Sequence, residues 1–136
     1  MKKLFMLIWI LVFAGFSTGT IAADGKEDKI INKYKEVIDN TSPDDWYTLA
    51  RSADICLRKN INRREVSDWL DKSLSIKETP YNLEVKGDYY RMNNLPEKAG
   101  DYYLKAIQLG SETDPDFDIK TLQSKIAEVI DLNINN

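Results

Sequence analysis

Acidic side chains are the main chemical resource of this chain. Glu112, Asp114, Asp116 and Asp118 alternate through SETDPDFD, a spacing at which carboxylates can ring a calcium ion. The central glycine and distal glutamate that complete such a loop are missing, so helix capping accounts for the run better. No metal or cofactor is expected. Histidine is absent from the 136 residues, which removes the commonest general base and metal ligand. Cys56 is the single cysteine, and a lone thiol makes no internal disulfide. It falls in line with Leu49, Ala53 and Leu57 on an apolar helical stripe, so packing is its expected role. Action as a redox thiol would need exposure and a nearby cation, and Arg58 and Lys59 point elsewhere on a helix. No glycine-rich phosphate loop, nucleophile elbow or Ser-His-Asp set can be drawn. Carboxylates spread over helix surfaces give no reason for the raised pKa that two-carboxylate hydrolysis requires. An enzyme is not expected.

The elements that position these groups begin with a targeting segment. Lys2 and Lys3 precede a mostly apolar stretch over residues 4–16, followed by small residues ending in Ile21-Ala22-Ala23. This order is that of a secretory signal peptide over residues 1–23, cleaved before Asp24. The apolar run is shorter than the ~20 residues of a spanning helix. The expected protein is exported, periplasmic or secreted, without a membrane span after cleavage. Loss of Lys2 and Lys3 takes the net charge from −3 to −5. A mildly acidic chain exerts no pull on phosphate backbones, so nucleic acid is not an expected partner.

Downstream, apolar residues recur at helical spacing, and no segment alternates as a strand does over a convincing length. Ile30, Ile31, Tyr34, Val37 and Ile38 mark a first helix over 25–40. Ser42, Pro43 and Asp45 read as the cap, first position and capping-box partner of a second helix over 43–59. Asn62 and Glu65 signal the start of a third, carrying Val66, Trp69, Leu70, Ser73 and Leu74. Thr79-Pro80 opens a fourth with Leu83, Gly87 and Tyr90. Pro96 opens a fifth with Ala99, Tyr103, Ala106 and Ile107, expected to stop at Gly110. Asp114-Pro115 is expected to cap a last helix. Small residues at Gly87, Ala99 and Ala106 let two antiparallel helices approach closely, with Tyr90 and Tyr103 filling the space beside them.

The second and third helices resemble the fourth and fifth. Subtracting 33 takes Ala99, Tyr103, Ala106 and Ile107 to Val66, Leu70, Ser73 and Leu74, whereas Ala53 to Tyr90 spans 37. Gly87, Tyr90, Ala99, Tyr103 and Ala106 match the G-x-x-Y and A-x-x-x-F elements of tetratricopeptide repeats, and Trp46, Leu49 and Ala50 match the opening W-x-x-L-G with Ala for Gly. The chain thus resembles tetratricopeptide repeat proteins over residues 43–110. The resemblance implies an all-α, right-handed superhelix of two helix-turn-helix repeats (42–111), flanked by an N-terminal capping helix (24–41) and a C-terminal capping helix and tail (112–136).

The family binds through a concave face lined by the first helix of each pair. By that analogy the candidate partner-binding residues are Tyr47, Arg51 and Asp54, with Asp44, in the first repeat. In the second they are Tyr81, Glu84, Asp88 and Arg91. Members that hold a peptide's C-terminal carboxylate use Lys, Arg and Asn there. Asp54, Glu84 and Asp88 instead suit a protein or peptide carrying Lys or Arg, contacted also by the two tyrosines. The implied function is a protein–protein interaction module. The alternatives are a structural, self-associating helical domain and a redox accessory acting through Cys56.

Overall fold

The structure, a computed structural model, describes residues 20–134 and is all-helical there. Six helices follow one another: α1 Thr20–Asp39, α2 Trp46–Arg58, α3 Arg64–Ile76, α4 Pro80–Met92, α5 Pro96–Thr113 and α6 Lys120–Ile134. The expected signal segment lies outside the described residues as far as residue 19, and the positions of its expected cleavage site belong to the start of α1. No described helix is long and apolar enough to cross a membrane.

The helices pair as two hairpins, α2 with α3 and α4 with α5. Helix α4 also lies against both α2 and α3, α1 covers α2, and α6 covers α5. The apolar core divides accordingly. One cluster joins Ile31 of α1 to Leu49, Ala53, Cys56 and Leu57 of α2, Val66, Trp69 and Leu70 of α3, and Val85 of α4. The other joins Leu83 of α4 to Ala99, Tyr103 and Ala106 of α5 and to Leu122 and Val129 of α6.

The small residues sit where the axes cross, as their spacing predicts. Ala99 and Ala106 are fully buried. A Cβ on Gly87 would lie 2.6 Å from Cδ1 of Tyr103 and closer still to Cε1. Only a glycine lets α4 reach the tyrosine ring at that distance. Gly110 plays the same part for Phe117, and it does not end its helix: α5 runs three residues further, to Thr113.

Several helix starts differ from expectation, each for a local reason. Asp45, rather than Ser42, caps α2, accepting the Thr48 N–H at 3.0 Å and its hydroxyl at 2.7 Å. These two bonds hold the Asp45 carboxyl below the usual carboxylate range. Ser42 bonds to Asp44 in the preceding turn, so Asp44 is not on α2 at all. Asn62 does not cap α3; its amide oxygen accepts from Asn93 at 2.9 Å and ties together the turns of the two hairpins. Asp114 closes α5 instead of opening α6, and Asp118 takes over the start, accepting the Lys120 N–H at 2.9 Å. Thr79-Pro80 opens α4 as expected, through a reciprocal box with Asn82.

The structure also corrects the repeat register. The caps Asp45 and Thr79 and the turn residues Asn60 and Asn94 are each 34 apart. Asn60 and Asn94 are the two described non-glycine residues at positive φ, 58° and 55°. Each is followed by a residue whose N–H returns to the helix five positions back: Ile61 to Cys56 at 2.9 Å and Leu95 to Tyr90 at 3.0 Å. Ala53, not Ala50, is therefore the counterpart of Gly87, and Cys56 that of Tyr90. The 33-residue offset of the second helices holds: Val66, Leu70 and Ser73 are fully buried, like Ala99, Tyr103 and Ala106.

A buried polar chain locks one hairpin to the next. Ser73 Oγ donates to the Trp46 carbonyl at 2.7 Å. Asn82 Nδ2 donates to Ser73 Oγ at 3.0 Å and to the Lys77 carbonyl at 2.7 Å. These bonds join the start of α2, the end of α3 and the start of α4 with their polar groups satisfied.

Candidate functional site

Helices α2, α4 and α6 present side chains to one cleft of about 340 Å³. Asp54, Leu57 and Arg58 line it from α2, Glu84, Asp88, Arg91 and Met92 from α4, and Thr121 and Lys125 from α6. Four of the eight residues expected to bind a partner, Asp54, Glu84, Asp88 and Arg91, thus meet in one place.

Tyr47 and Tyr81 sit beside it. Tyr81 donates its hydroxyl to Asp54 at 3.2 Å, and its ring lies 5.7 Å from that of Tyr47, which is 47% exposed. Tyr47 and Tyr81 are equivalent under the 34-residue register, as are Asp54 and Asp88, so the two repeats supply matched tyrosines and matched aspartates. Arg51 is exposed on α2 and does not line the cleft. Matching Ala50 to Gly87 pairs Arg51 with Asp88; at 34 residues, Asp88 corresponds to Asp54 instead.

The charges of the cleft are matched within the chain. Arg58 Nε donates to Asp54 at 2.9 Å. Lys125 Nζ lies 2.7 Å from Glu84 and bridges both oxygens of Asp88, at 2.8 and 2.6 Å. Arg91 donates to Glu128 at 3.1 Å, with its Nε 3.9 Å from Asp88, too long for a hydrogen bond. Tyr103, fully buried beneath, donates its hydroxyl to Asp88 at 2.8 Å. Burial first, and Asp88 second, push the Tyr103 phenol far above its ordinary value; burial and Asp54 do the same to Tyr81. Both rings therefore stay neutral donors. The three carboxylates read as a free acidic face from the sequence are each engaged by a cation of this chain.

Lys125 is the residue that sequence reasoning missed. Its contact with Asp88 joins positions 37 apart on helices whose relative rotation no local pattern reveals. Lys86 was missed as well. It is only 1% exposed, with Nζ 2.7 Å from Asp71 and 3.1 Å from Ser67, above the rings of Tyr89 and Tyr90. Under the 34-residue register its counterpart is Ser52, which is buried too.

Cys56 is fully buried, and burial pushes its thiol up to about 11. The acidic run serves the backbone: Asp114 accepts the Asp116 N–H at 3.0 Å, as Asp118 accepts that of Lys120. Among the described residues no three of His, Cys, Asp and Glu are grouped to hold a metal. Compared with protein-family models, with curated proteins and with solved structures, the chain matches none.

Proposed function

We propose that this chain is an exported interaction module built like a short tetratricopeptide array, which holds a segment of a protein partner in the cleft across α2, α4 and α6. The observation that carries the reading is the constant 34-residue offset shared by the caps and turns of α2 and α4. Such a repeat lays first helices side by side, and side-by-side first helices make a continuous groove. The pairing of α2 with α4, and of each with its own hairpin partner, supports that geometry. Export rests on the residue order at the N-terminus. The reading includes no catalytic step.

Photocrosslinking in the native compartment tests it. A photoreactive residue at Arg58 or Thr121, both exposed at the cleft, should capture a protein partner. The same residue at Lys72, exposed on α3 away from the cleft, should not. Equal capture from both positions, or none from the cleft, would sink the proposal.

A second reading, self-association, is favoured by one observation. Ile130 and Ile134 on α6 and Leu104 on α5 are 52%, 76% and 56% exposed. Concentration-dependent sedimentation that Ile130→Asp abolishes would support it. The redox reading finds no accessible thiol at Cys56.

A further inference from the structure

We infer that Glu84, Asp88 and the face of Tyr103 form a binding site for a primary ammonium group, and that Lys125 is its internal occupant, exchanged for a partner's lysine when the cleft is filled. The inference rests on the cleft reading above and adds the chemistry of the partner and the regulation of its entry.

Three features define the site. Two carboxylates on successive turns of α4 converge on one nitrogen, which lies within 2.6–2.8 Å of three oxygens. The Tyr103 ring lies beneath, 5.6 Å from the same nitrogen, with its hydroxyl bonded to Asp88 so that the ring cannot swing away. Anionic oxygens on one side and an aromatic face on another recognise a compact ammonium with three donors. A planar guanidinium would seek a bidentate edge instead. The side chain now in the site can leave it. Helix α6 is anchored to α5 through Leu122 and Val129, which are 1% and 2% exposed, and not through Lys125. The Lys125 side chain is 22% exposed and borders the open cleft. Rotation of its four-carbon stem toward solvent therefore vacates the site without unfolding the helix. An incoming ammonium would make the same contacts with Glu84, Asp88 and Tyr103 that Lys125 gives up, so the partner's remaining contacts decide the exchange.

Chemical rescue tests this on the full-length chain. Lys125→Ala and Lys125→Met should empty the site, Met keeping an apolar stem over Tyr103. In either variant n-butylammonium, the head and stem of a lysine, should raise the melting temperature and shift the amide resonances of residues 84–88. It should bind about tenfold more tightly than to the wild type, where Lys125 holds the site for most of the time. N-butylacetamide, its neutral counterpart, should do neither. Equal binding to wild type and variants, no binding to the folded variants, or loss of the fold in both would overturn the inference. A contact the fold cannot spare is not an exchangeable one. The two proposals fail separately. A partner captured at Thr121 in the wild type, with no gain in Lys125→Ala, leaves the interaction module and removes the exchange. Rescue by n-butylammonium without capture leaves the ammonium site and removes the module.

Discussion

One methyl group, added in turn to each of four helical glycines, should give opposite effects that report directly on how the helices cross. At Gly100 an added Cβ would lie 3.8 Å from Val129, an ordinary contact, and at Gly25 nothing lies within 4 Å. Both substitutions to Ala should stabilise by about 0.5–1 kcal/mol, the helix-propensity gain, with Gly25 at the lower end because it lies near the start of α1. Gly87→Ala makes the same propensity gain but places its methyl 2.6 Å from one Tyr103 ring carbon and 3.1 Å from another. That ring is fully buried and held by Asp88, so it cannot recede by the ångström required. Overpacking costs about 1–3 kcal/mol in such cores; set against the propensity gain, and at its upper end because the ring is pinned, it leaves a net loss of about 1–2 kcal/mol. The melting temperature should fall by roughly 5–10 °C. Gly110→Ala presses on Phe117 at 2.6 Å, but Phe117 sits in the 114–119 connection, which can give, so its loss should be smaller. Urea unfolding with a common m-value would rank the four variants. A double-mutant cycle with Tyr103→Leu should return most of the Gly87→Ala loss as coupling. Should Gly87→Ala prove as stable as Gly100→Ala, the close crossing of α4 and α5 would be refuted, and the groove reading with it.

Three further outcomes follow from buried groups. Cys56 should resist a thiol-specific label in the native protein and react at the rate of global unfolding, and rapid labelling at pH 8 would contradict its burial and raised pKa of about 11. Asn82→Ala should cost about 1–3 kcal/mol, since it removes the side-chain acceptor of the Thr79 N–H and leaves the buried Ser73 hydroxyl without its donor, while Ser75→Ala on the exposed side of α3 should cost almost nothing. The Tyr103 phenol is raised in the fold, so its stabilising contribution is full below the ordinary tyrosine pKa near 10 and is lost as pH climbs above it. Alkaline melts should steepen above about pH 10, and Tyr103→Phe should flatten that limb; an unchanged slope would show that Tyr103 ionises freely in the fold.

Much of the fold could be read from local pattern. Apolar spacing locates six helices, Thr79-Pro80 and Pro96 mark two of their starts, and Gly87, Ala99 and Ala106 mark the close approach of α4 and α5. Each of these signals depends on residues within a turn or two of one another. The helix starts that differed lay where several candidate caps stand together, as in Ser42-Pro43-Asp44-Asp45. The choice there fell to Asp45 because Thr48 offers both an N–H and a hydroxyl to one carboxylate. The repeat register differed for a related reason. Ala50 and Ala53 are both small, both fully buried, and three positions apart on one helix, so composition alone cannot say which of them matches Gly87.

The sequence by itself determined an all-helical chain of stacked hairpins with tyrosines and carboxylates on its first helices. Tertiary structure decided what those charges do. Asp54, Glu84 and Asp88 look like a free acidic face along α2 and α4, yet Lys125 reaches two of them from α6, and Lys86, lysine though it is, is sealed against Asp71 and two tyrosines. The rotation of α6 about its axis and its placement over α5 bring Lys125 to that spot. Packing of Leu122 and Val129 into the second core cluster sets that placement, and long-range packing of this kind leaves no period in the chain to read.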